Sequence, residues 1–410
     1  MADTTNAIAS KSGSVLNELA PGCFVFTSAT GHNSGVVVGT EAVLVVDGQP
    51  TAQDAEALRS CIAKVTDLPV KYVVLTHFHA AQSLHAGVFE TAAIIASDLS
   101  KRLLQVNGVA ELALMAAKDS PETSENSDED ESAIASPTPV RPTLSFASSI
   151  CLDLGECEVK VMHLGRGHTL GDSVVWVNDQ RLMFAGDLVC EGTSMYCGDG
   201  HLGDWPNALR RVGAFRPEIL VPGMGESSFG LKGVAGRLMD CAKYIAILAD
   251  VSAESASRGN SIKRTLEMAT EALEPIYGQR AFFHDYLPRN VARAYDEAHG
   301  LELPQVWTID RERDLIDALN AKTHLSSGKT TNQGDATSKG ADGAASEVPE
   351  SEPVEAASNE GAAAQTDGVD QEASEDLTEV ATAADPEETS AEETTLDEDN
   401  TADKTQHEPA

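Results

Sequence analysis

Two histidines separated by one residue, His77 and His79, have the clearest potential for chemistry in this sequence. They follow the apolar run at residues 70–75, which is typical of a buried β-strand. If the backbone turns between them, both imidazoles can reach one point, an arrangement that suits zinc or iron. Taken alone, the pair is equally compatible with two surface histidines on a loop. The interpretation therefore depends on further ligands.

Two further candidate ligands lie later in the chain. His168 sits among glycines in the segment 165–171, which predicts a loop between two strands. Asp187 follows the apolar run Phe184-Ala185-Gly186, so a carboxylate is expected where a buried strand reaches the edge of its sheet. Taken alone, Asp187 fits a turn or helix cap better. Together with the histidine pair, the two residues favour a metal site.

The surrounding segments must position these side chains. Short β-rich runs are predicted at 23–27, 35–38, 42–47, 70–75, 91–96, 144–151, 158–163, 173–177, 182–185, 219–221 and 305–308. Helical patterns are predicted at 51–65, 83–89, 99–115, 205–215, 238–248, 262–273, 290–298 and 311–319. Asp204 precedes Trp205-Pro206 and is predicted to cap a helix. The strand, helix, strand order across residues 42–75 implies a crossover unit.

In this order, the motifs resemble those of the metallo-β-lactamase-fold hydrolase superfamily. The resemblance rests on Asp47, Thr76-His77-Phe78-His79, Gly167-His168-Thr169 with Gly171-Asp172, and Phe184-Ala185-Gly186-Asp187. It implies an α+β protein, a four-layer αββα sandwich with a metal site at one edge of its two sheets. Residue by residue, the ligands of a first metal fall on His77, His79 and His168, and the aspartate that usually bridges two metals falls on Asp187.

A narrower resemblance is to a SoxH-like bacterial branch with a helical C-terminal extension. It is carried by residues 76–87 and 163–168, Tyr196-Cys197-Gly198-Asp199, Asp204-Trp205-Pro206, and Asn290-Val-Ala-Arg-Ala-Tyr-Asp-Glu297.

Three positions depart from the superfamily pattern. Ala81 stands where the usual aspartate follows the histidine pair, and Gln82 where a histidine is usual. Met224 replaces the late histidine of a Pro-Gly-His-Gly turn. The second metal keeps only Asp187 of its expected ligands, so the prediction is a single Zn²⁺ site.

The resemblance implies a hydrolase whose metal-bound hydroxide attacks an ester, thioester, lactone or amide carbonyl of a small-molecule substrate. Asp187 would support the metal or orient its water. Two alternatives stay open. A set of two histidines and Asp187 suits Fe²⁺ and oxidation of a sulfur substrate. The lost ligands also fit a non-catalytic binding protein.

Four other residues are predicted to lie near the substrate. His85 follows the histidine loop by about one helical turn, and His201 and Asp204 lie on the loop expected to flank the site together with Asp199. His284, in the helical extension, is a candidate for a pocket lid. For each of them, a structural or solvated role is a competing interpretation.

The net charge of −36 is concentrated in two segments. Residues 326–410 contain 23 acidic residues and three lysines, and residues 119–131 contain seven acidic residues and no basic ones. Both lack the apolar residues needed to offset ordering entropy, so a disordered acidic tail (325–410) and a disordered insertion (119–140) are predicted. Without a basic patch, nucleic-acid binding is disfavoured.

The predicted organisation is a flexible arm (1–14), a metallo-β-lactamase-like domain (15–230), and a helical extension packed on it (231–324). Seven scattered cysteines with no C-x-x-C motif indicate a reducing compartment. The polar start of the chain and the lack of a long apolar run predict a cytoplasmic protein with no membrane contact. The substrate and the oligomeric state stay open.

Overall fold

The computed structural model describes residues 7–9, 13–119 and 139–321. In this part of the chain two β-sheets face each other. The first sheet has eight strands whose order in the sheet follows the chain: β1 (Ala7–Ala9), β2 (Val15–Ala20), β3 (Cys23–Thr27), β4 (Asn33–Val38), β5 (Val43–Val46), β6 (Val70–Val74), β7 (Ala93–Ser97) and β8 (Leu144–Phe146). Strands β1–β5 are antiparallel, and β5–β8 are parallel.

The second sheet has six strands in the order β14-β13-β12-β11-β10-β9. They are β9 (Ser149–Asp153), β10 (Glu158–Met162), β11 (Val174–Val177), β12 (Leu182–Phe184), β13 (Ile219–Val221) and β14 (Ser228–Phe229). The pairing is antiparallel except between β12 and β13. The parallel pairs β5–β6 and β12–β13 are where the site residues emerge, because β5, β6 and β12 each end next to one of them.

Eight α-helices cover the outer faces of the sheets within the described residues. They are α1 (Ala52–Val65), α2 (Ala80–Ser83), α3 (Asp98–Asp119), α4 (Trp205–Ala214), α5 (Gly230–Ser257), α6 (Ile262–Tyr277), α7 (Phe283–Ala298) and α8 (Ile309–Asn320). Helix α1 begins after Thr51, whose hydroxyl accepts the backbone N–H of Asp54 and so satisfies one of the free donors of the first turn.

The buried residues form a layered core. One cluster fills the space between the two sheets, with Leu44 and Val175 among its members. A second packs α1 and α3 on the first sheet through Leu58 and Leu104. A third packs helices α4 to α7 on the second sheet. This is the predicted α+β arrangement of two sheets between two helical layers, with C-terminal helices added to one side.

Several local predictions differ from the structure. The run at 144–151 forms two strands in different sheets, β8 and β9, because the chain crosses between sheets at residues 147–148. The helix predicted at 83–89 is split into α2 and a short 3₁₀ helix, Ala86–Val88. Residues 305–308 form no strand, since Trp307 turns inward to pack and hydrogen-bond.

The start of the chain contributes to the first sheet. Three residues of the predicted flexible arm, Ala7–Ala9, pair with β2. Most of the predicted insertion (120–138) and the whole acidic tail lie outside the described residues. Among the described helices, none has the length and apolar character needed to cross a membrane.

Candidate metal centre

The candidate ligands meet where strands of both sheets end. His77 and His79 lie between β6 and α2, and His168 lies on the loop between β10 and β11. Asp187 lies on a short 3₁₀ helix that follows β12. Residues distant in sequence are thus brought to one edge of the sandwich, as the sequence predicts.

Three imidazole nitrogens converge there. One ring nitrogen from each of His77, His79 and His168 lies within 4.8 Å of the other two, and all three side chains are buried. His79 Nδ1 and His168 Nε2 are 2.9 Å apart. His77 Nε2 is buried and has no hydrogen-bond partner among the described residues. A buried imidazole nitrogen without a partner is costly, and a metal ion would satisfy it.

The second nitrogen of each ring has a partner on the protein. His77 Nδ1 lies 2.9 Å from the Thr76 hydroxyl, and His168 Nδ1 lies 3.0 Å from the backbone carbonyl of Tyr196. His79 Nε2 lies 3.1 Å from Asp199 Oδ2. Because the Tyr196 carbonyl and the Asp199 carboxylate can only accept hydrogen bonds, they place the proton on the outer nitrogen of each ring. The lone pairs then point inward, as in histidines that bind metals.

The proton on His77 is oriented by a longer chain of hydrogen bonds. Asp47 accepts both the backbone N–H and the hydroxyl of Thr76, each at 2.7 Å. The Thr76 oxygen is therefore free to accept from His77 Nδ1. Asp47 has φ 61°, a left-handed conformation that is unusual for an aspartate. The backbone after β5 adopts this conformation where the carboxylate turns toward Thr76.

The electrostatics of the three rings differ. Burial and the neighbouring imidazoles lower the pKa of His77 and His168 well below the usual range for histidine. Burial also lowers the pKa of His79, but the carboxylates of Glu111, Asp199 and Asp187 raise it to about 9. The carboxylates beside His79 thus favour a positive charge here, which is either the protonated His79 ring or a metal cation that replaces its inner proton.

Asp187 lies beside the three histidines. Its Oδ2 lies 3.7 Å from His77 Nε2 and 3.8 Å from His168 Nε2. The amide of Gln82 donates to both carboxylate oxygens at 3.2 Å. Burial raises the pKa of Asp187 to about 6, against the lowering effect of His79 and Gln82. Gln82 therefore holds the aspartate in place instead of offering a nitrogen ligand of its own.

Within residues 7–9, 13–119 and 139–321, no second cluster of ligands accompanies the first. Among the described residues, the three histidines are the only group of three or more histidines, cysteines or acidic residues placed to hold a metal. Ala81 and Met224 both line the adjoining cleft, but neither offers a ligand of the kind the superfamily pattern has there. The residues present fit one metal ion.

Known proteins share this sequence pattern. The sequence model of the metallo-beta-lactamase superfamily matches residues 27–224, which run from the end of β3 to Met224 and include all four candidate ligands. This domain has the metallo-β-lactamase fold. The match supports placing the chain in the metallo-β-lactamase superfamily.

Individual relatives are distant. A type 2 metallo-beta-lactamase of Pseudomonas aeruginosa is 24% identical over 206 residues, which are 48% of this chain and 70% of that protein. Among solved structures, VMB-1 is 20% identical, with a TM-score of 0.44 over 57% of this chain and 99% of that one. A metallo-beta-lactamase from Pontibacter korlensis is 20% identical, with a TM-score of 0.39 over 58% and 99%.

An open cleft of about 180 Å³ adjoins the candidate metal centre. The four predicted substrate residues do not line it. His85 lies in a different depression, beside α1. His201 is buried behind the loop, and the Asp204 carboxylate is held by Arg166 at 2.6 Å. His284 is largely exposed, next to Glu274. Their order in the sequence indicated the right loops but not the directions of the side chains.

The cleft is lined instead by residues that the motifs did not identify. They come from α3, from α7 and from the segment after it: Asn107, Glu111, Leu114, Tyr286, Arg289 and Trp307. Asn107, Glu111 and Leu114 recur at helical spacing, so they share one face of α3. Glu111 accepts the backbone N–H of Ala80 at 3.0 Å, which brings a carboxylate close to His79. In the sequence, only their helical spacing indicated that these α3 residues share a face. That spacing did not show that the face lines the cleft.

The loop that carries Asp199 is held by the helical extension. We call residues 195–203 the Asp199 loop. Asn290 accepts the N–H of Cys197 and donates to the carbonyl of Met195, while Trp307 donates to the carbonyl of Gly198. Arg293 donates to the carbonyl of Gly200. The position of Asp199, and through it the orientation of His79, therefore depends on residues beyond the superfamily match.

We expect Asp199→Asn to weaken metal binding about 10–100-fold, because the amide removes the charged acceptor that orients His79. The measurement is a metal titration against a competing chelator. Asp204→Asn is the matched control, since the Asp204 carboxylate pairs with Arg166. Equal metal affinity in both variants would show that Asp199 does not orient His79.

We expect Gly223→Ala to displace Asp187. A β-carbon at residue 223 would lie 1.8 Å from Asp187 Oδ1, so the carboxylate has to move away. If Asp187 supports the metal, affinity falls by about tenfold or more. Gly233→Ala is the control: in α5, nothing lies within 4 Å of the added carbon. Unchanged affinity in Gly223→Ala would remove Asp187 from the metal site.

Proposed function

We propose that this protein is a hydrolase that uses one metal ion, most simply Zn²⁺, to cleave an ester, thioester, lactone or amide bond. The observation that carries the proposal is the convergence of one ring nitrogen each from His77, His79 and His168, with the opposite nitrogen of each ring held by a hydrogen-bond partner. Three histidines with an open position form a catalytic zinc shell in known enzymes.

A metal bound there would activate a water molecule at neutral pH and polarise the carbonyl under attack. The protein's own residues would do the rest. Thr76, Asp199 and the Tyr196 carbonyl hold the rings in place. Asp187, held by Gln82, presents an acceptor beside two of the three nitrogens, where it can orient the attacking water. The cleft would bind the remainder of the substrate.

A single metal is proposed because of the contacts at the positions where a second site is usual. Gln82 uses its amide to bind Asp187, and Ala81 has no polar group. Met224 lines the cleft with an apolar side chain. The narrower SoxH-like assignment is also a proposal. It is supported by the Asp199 loop and by Asn290 and Arg293, which contact it.

The test begins with elemental analysis of the purified full-length protein. About one zinc per chain, together with hydrolysis of a panel of p-nitrophenyl esters, thioesters, lactones and anilides that is lost on chelation and restored by zinc, supports the proposal. Bound iron with oxygen uptake on a persulfide would indicate the sulfur-oxidising alternative. A protein that binds no metal under any loading condition would favour a non-catalytic binding role.

A further inference from the structure

The cleft beside the metal centre has an aromatic wall formed largely by the helical extension. Tyr286, on α7, makes an edge-to-face contact with Tyr196 at a centroid distance of 5.4 Å and stacks on Phe282 at 5.3 Å. Trp307 lines the same cleft. Such surfaces bind flat or aliphatic groups with little loss of side-chain freedom. The cleft therefore suits a ligand with an apolar body.

Arg289 stands among these aromatic groups. Its Nε donates to Glu312 at 2.8 Å, and its guanidinium lies 5.0 Å from the centre of the Trp307 ring. These contacts fix the plane of the guanidinium. Its Nη2 is buried and makes no close hydrogen bond within the described part of the chain, and the polar group acting on the guanidinium besides Glu312 is the Tyr196 hydroxyl. The Nη2 donor is therefore available to an acceptor on a ligand that enters the cleft.

The charge of Arg289 narrows the choice of partner. Burial lowers its pKa, but Tyr196 and Glu312 raise it further, so the guanidinium stays charged. Among the described residues that line the cleft, it is the only lysine or arginine, and because Glu111, Asp187 and Asp199 line the cleft too, an anionic group is favoured only where it meets Arg289. A charged donor binds an anionic oxygen more strongly than a neutral one, and a planar guanidinium matches the two oxygens of a carboxylate.

We propose that Arg289 binds a carboxylate on the ligand, so that the cleft selects carboxylic acids with an aromatic or aliphatic body. That these acids are substrates, with their hydrolysable bond at the histidines, rests on the proposed function. The binding preference does not. The specificity determinant thus lies on α7, outside the segment matched by the superfamily.

The experiment is calorimetric titration of the full-length protein with 4-phenylbutyrate and with its neutral amide, 4-phenylbutyramide. We expect wild type to bind the acid at least tenfold more tightly. Because a carboxylate can also bind a metal ion, both titrations are run on metal-loaded and on chelator-treated protein. The preference for the acid should survive removal of the metal.

Arg289→Gln should abolish the preference, and Arg289→Lys should keep part of it, since lysine retains the charge but not the planar fork. Arg280→Gln is the matched control. Arg280 is also ion-paired, with Asp240, and stacked on an aromatic ring, Tyr277, but it does not line the cleft. Thermal unfolding checks that the variants are folded.

Equal affinity of wild type for acid and amide would overturn the proposal, and this result needs no variant. A preference for the acid that persists in Arg289→Gln, or that disappears when the metal is removed, would also overturn it. A protein that hydrolyses none of the test bonds but binds the acid through Arg289 would refute the proposed function and leave this inference standing.

Discussion

Replacing His168 with alanine should reduce the metal content of the purified protein from about one ion per chain to less than a tenth of that. The reason is geometric: the variant loses one of three converging nitrogens, and the remaining pair lies on one short segment, at 77 and 79. Two imidazoles and a carboxylate bind zinc more weakly than the complete set. Elemental analysis after gel filtration measures the effect.

His284→Ala is the control for this experiment. His284 is an exposed histidine whose nearest charged partner is Glu274, so its loss should leave the metal content unchanged. Added zinc should raise the unfolding temperature of wild type and of His284→Ala, because a ligand that binds only the folded state stabilises it. It should not raise that of His168→Ala. Full metal content in folded His168→Ala would exclude His168 as a ligand.

Replacing Arg293 with methionine should destabilise the protein by about 3–5 kcal/mol, because a buried cation that holds several acceptors is lost. Arg293 is 0% exposed. It donates to the carbonyls of Gly200, Leu301 and Glu302 and to the carboxylate of Glu297. Methionine has a similar volume but no donor, so the three carbonyls lose this donor, while the Glu297 carboxylate keeps the backbone N–H groups of Leu202 and Gly203. Urea unfolding followed by circular dichroism measures the change.

Arg313→Met is the matched control for Arg293→Met. Arg313 pairs with Asp310 on the surface of α8, and the two side chains are 65% and 85% exposed. Such pairs contribute at most about 1 kcal/mol. If the two variants were equally stable, the hydrogen bonds of Arg293 would contribute little, and the Asp199 loop would have to be held by Asn290 and Trp307.

The fold could be predicted from sequence because its signals are local and repeated. The apolar runs at β3, β5, β11 and β12 are continuous, since these strands are buried on both faces. The run at 144–151 shows the limit of such reasoning. The pattern of apolar residues predicts that both β8 and β9 are extended. No residue between them indicates that the chain passes from one sheet to the other.

That the four candidate ligands lie close together was predictable for a similar reason. His77, His79, His168 and Asp187 follow strands or glycine turns, and the ends of strands are fixed by the sheet. The cleft was not predictable. Glu111 and Arg289 lie in the middle of helices, where orientation depends on how the whole helix packs. Asp204 shows the same difficulty at short range: it precedes α4 as predicted, but its carboxylate binds Arg166 and makes no cap hydrogen bond.

Because α7 and Trp307 hold the Asp199 loop in place, a gene fragment that encodes a complete site must extend at least to Trp307. A fragment trimmed to the superfamily match would encode every candidate ligand. It would lack Asn290, Arg293 and Trp307, which hold the backbone around Asp199. The candidate ligands and the three residues that hold the Asp199 loop would therefore have to be encoded together. Recombination that exchanged the helical extension for a foreign sequence would have to supply an equivalent set of hydrogen bonds.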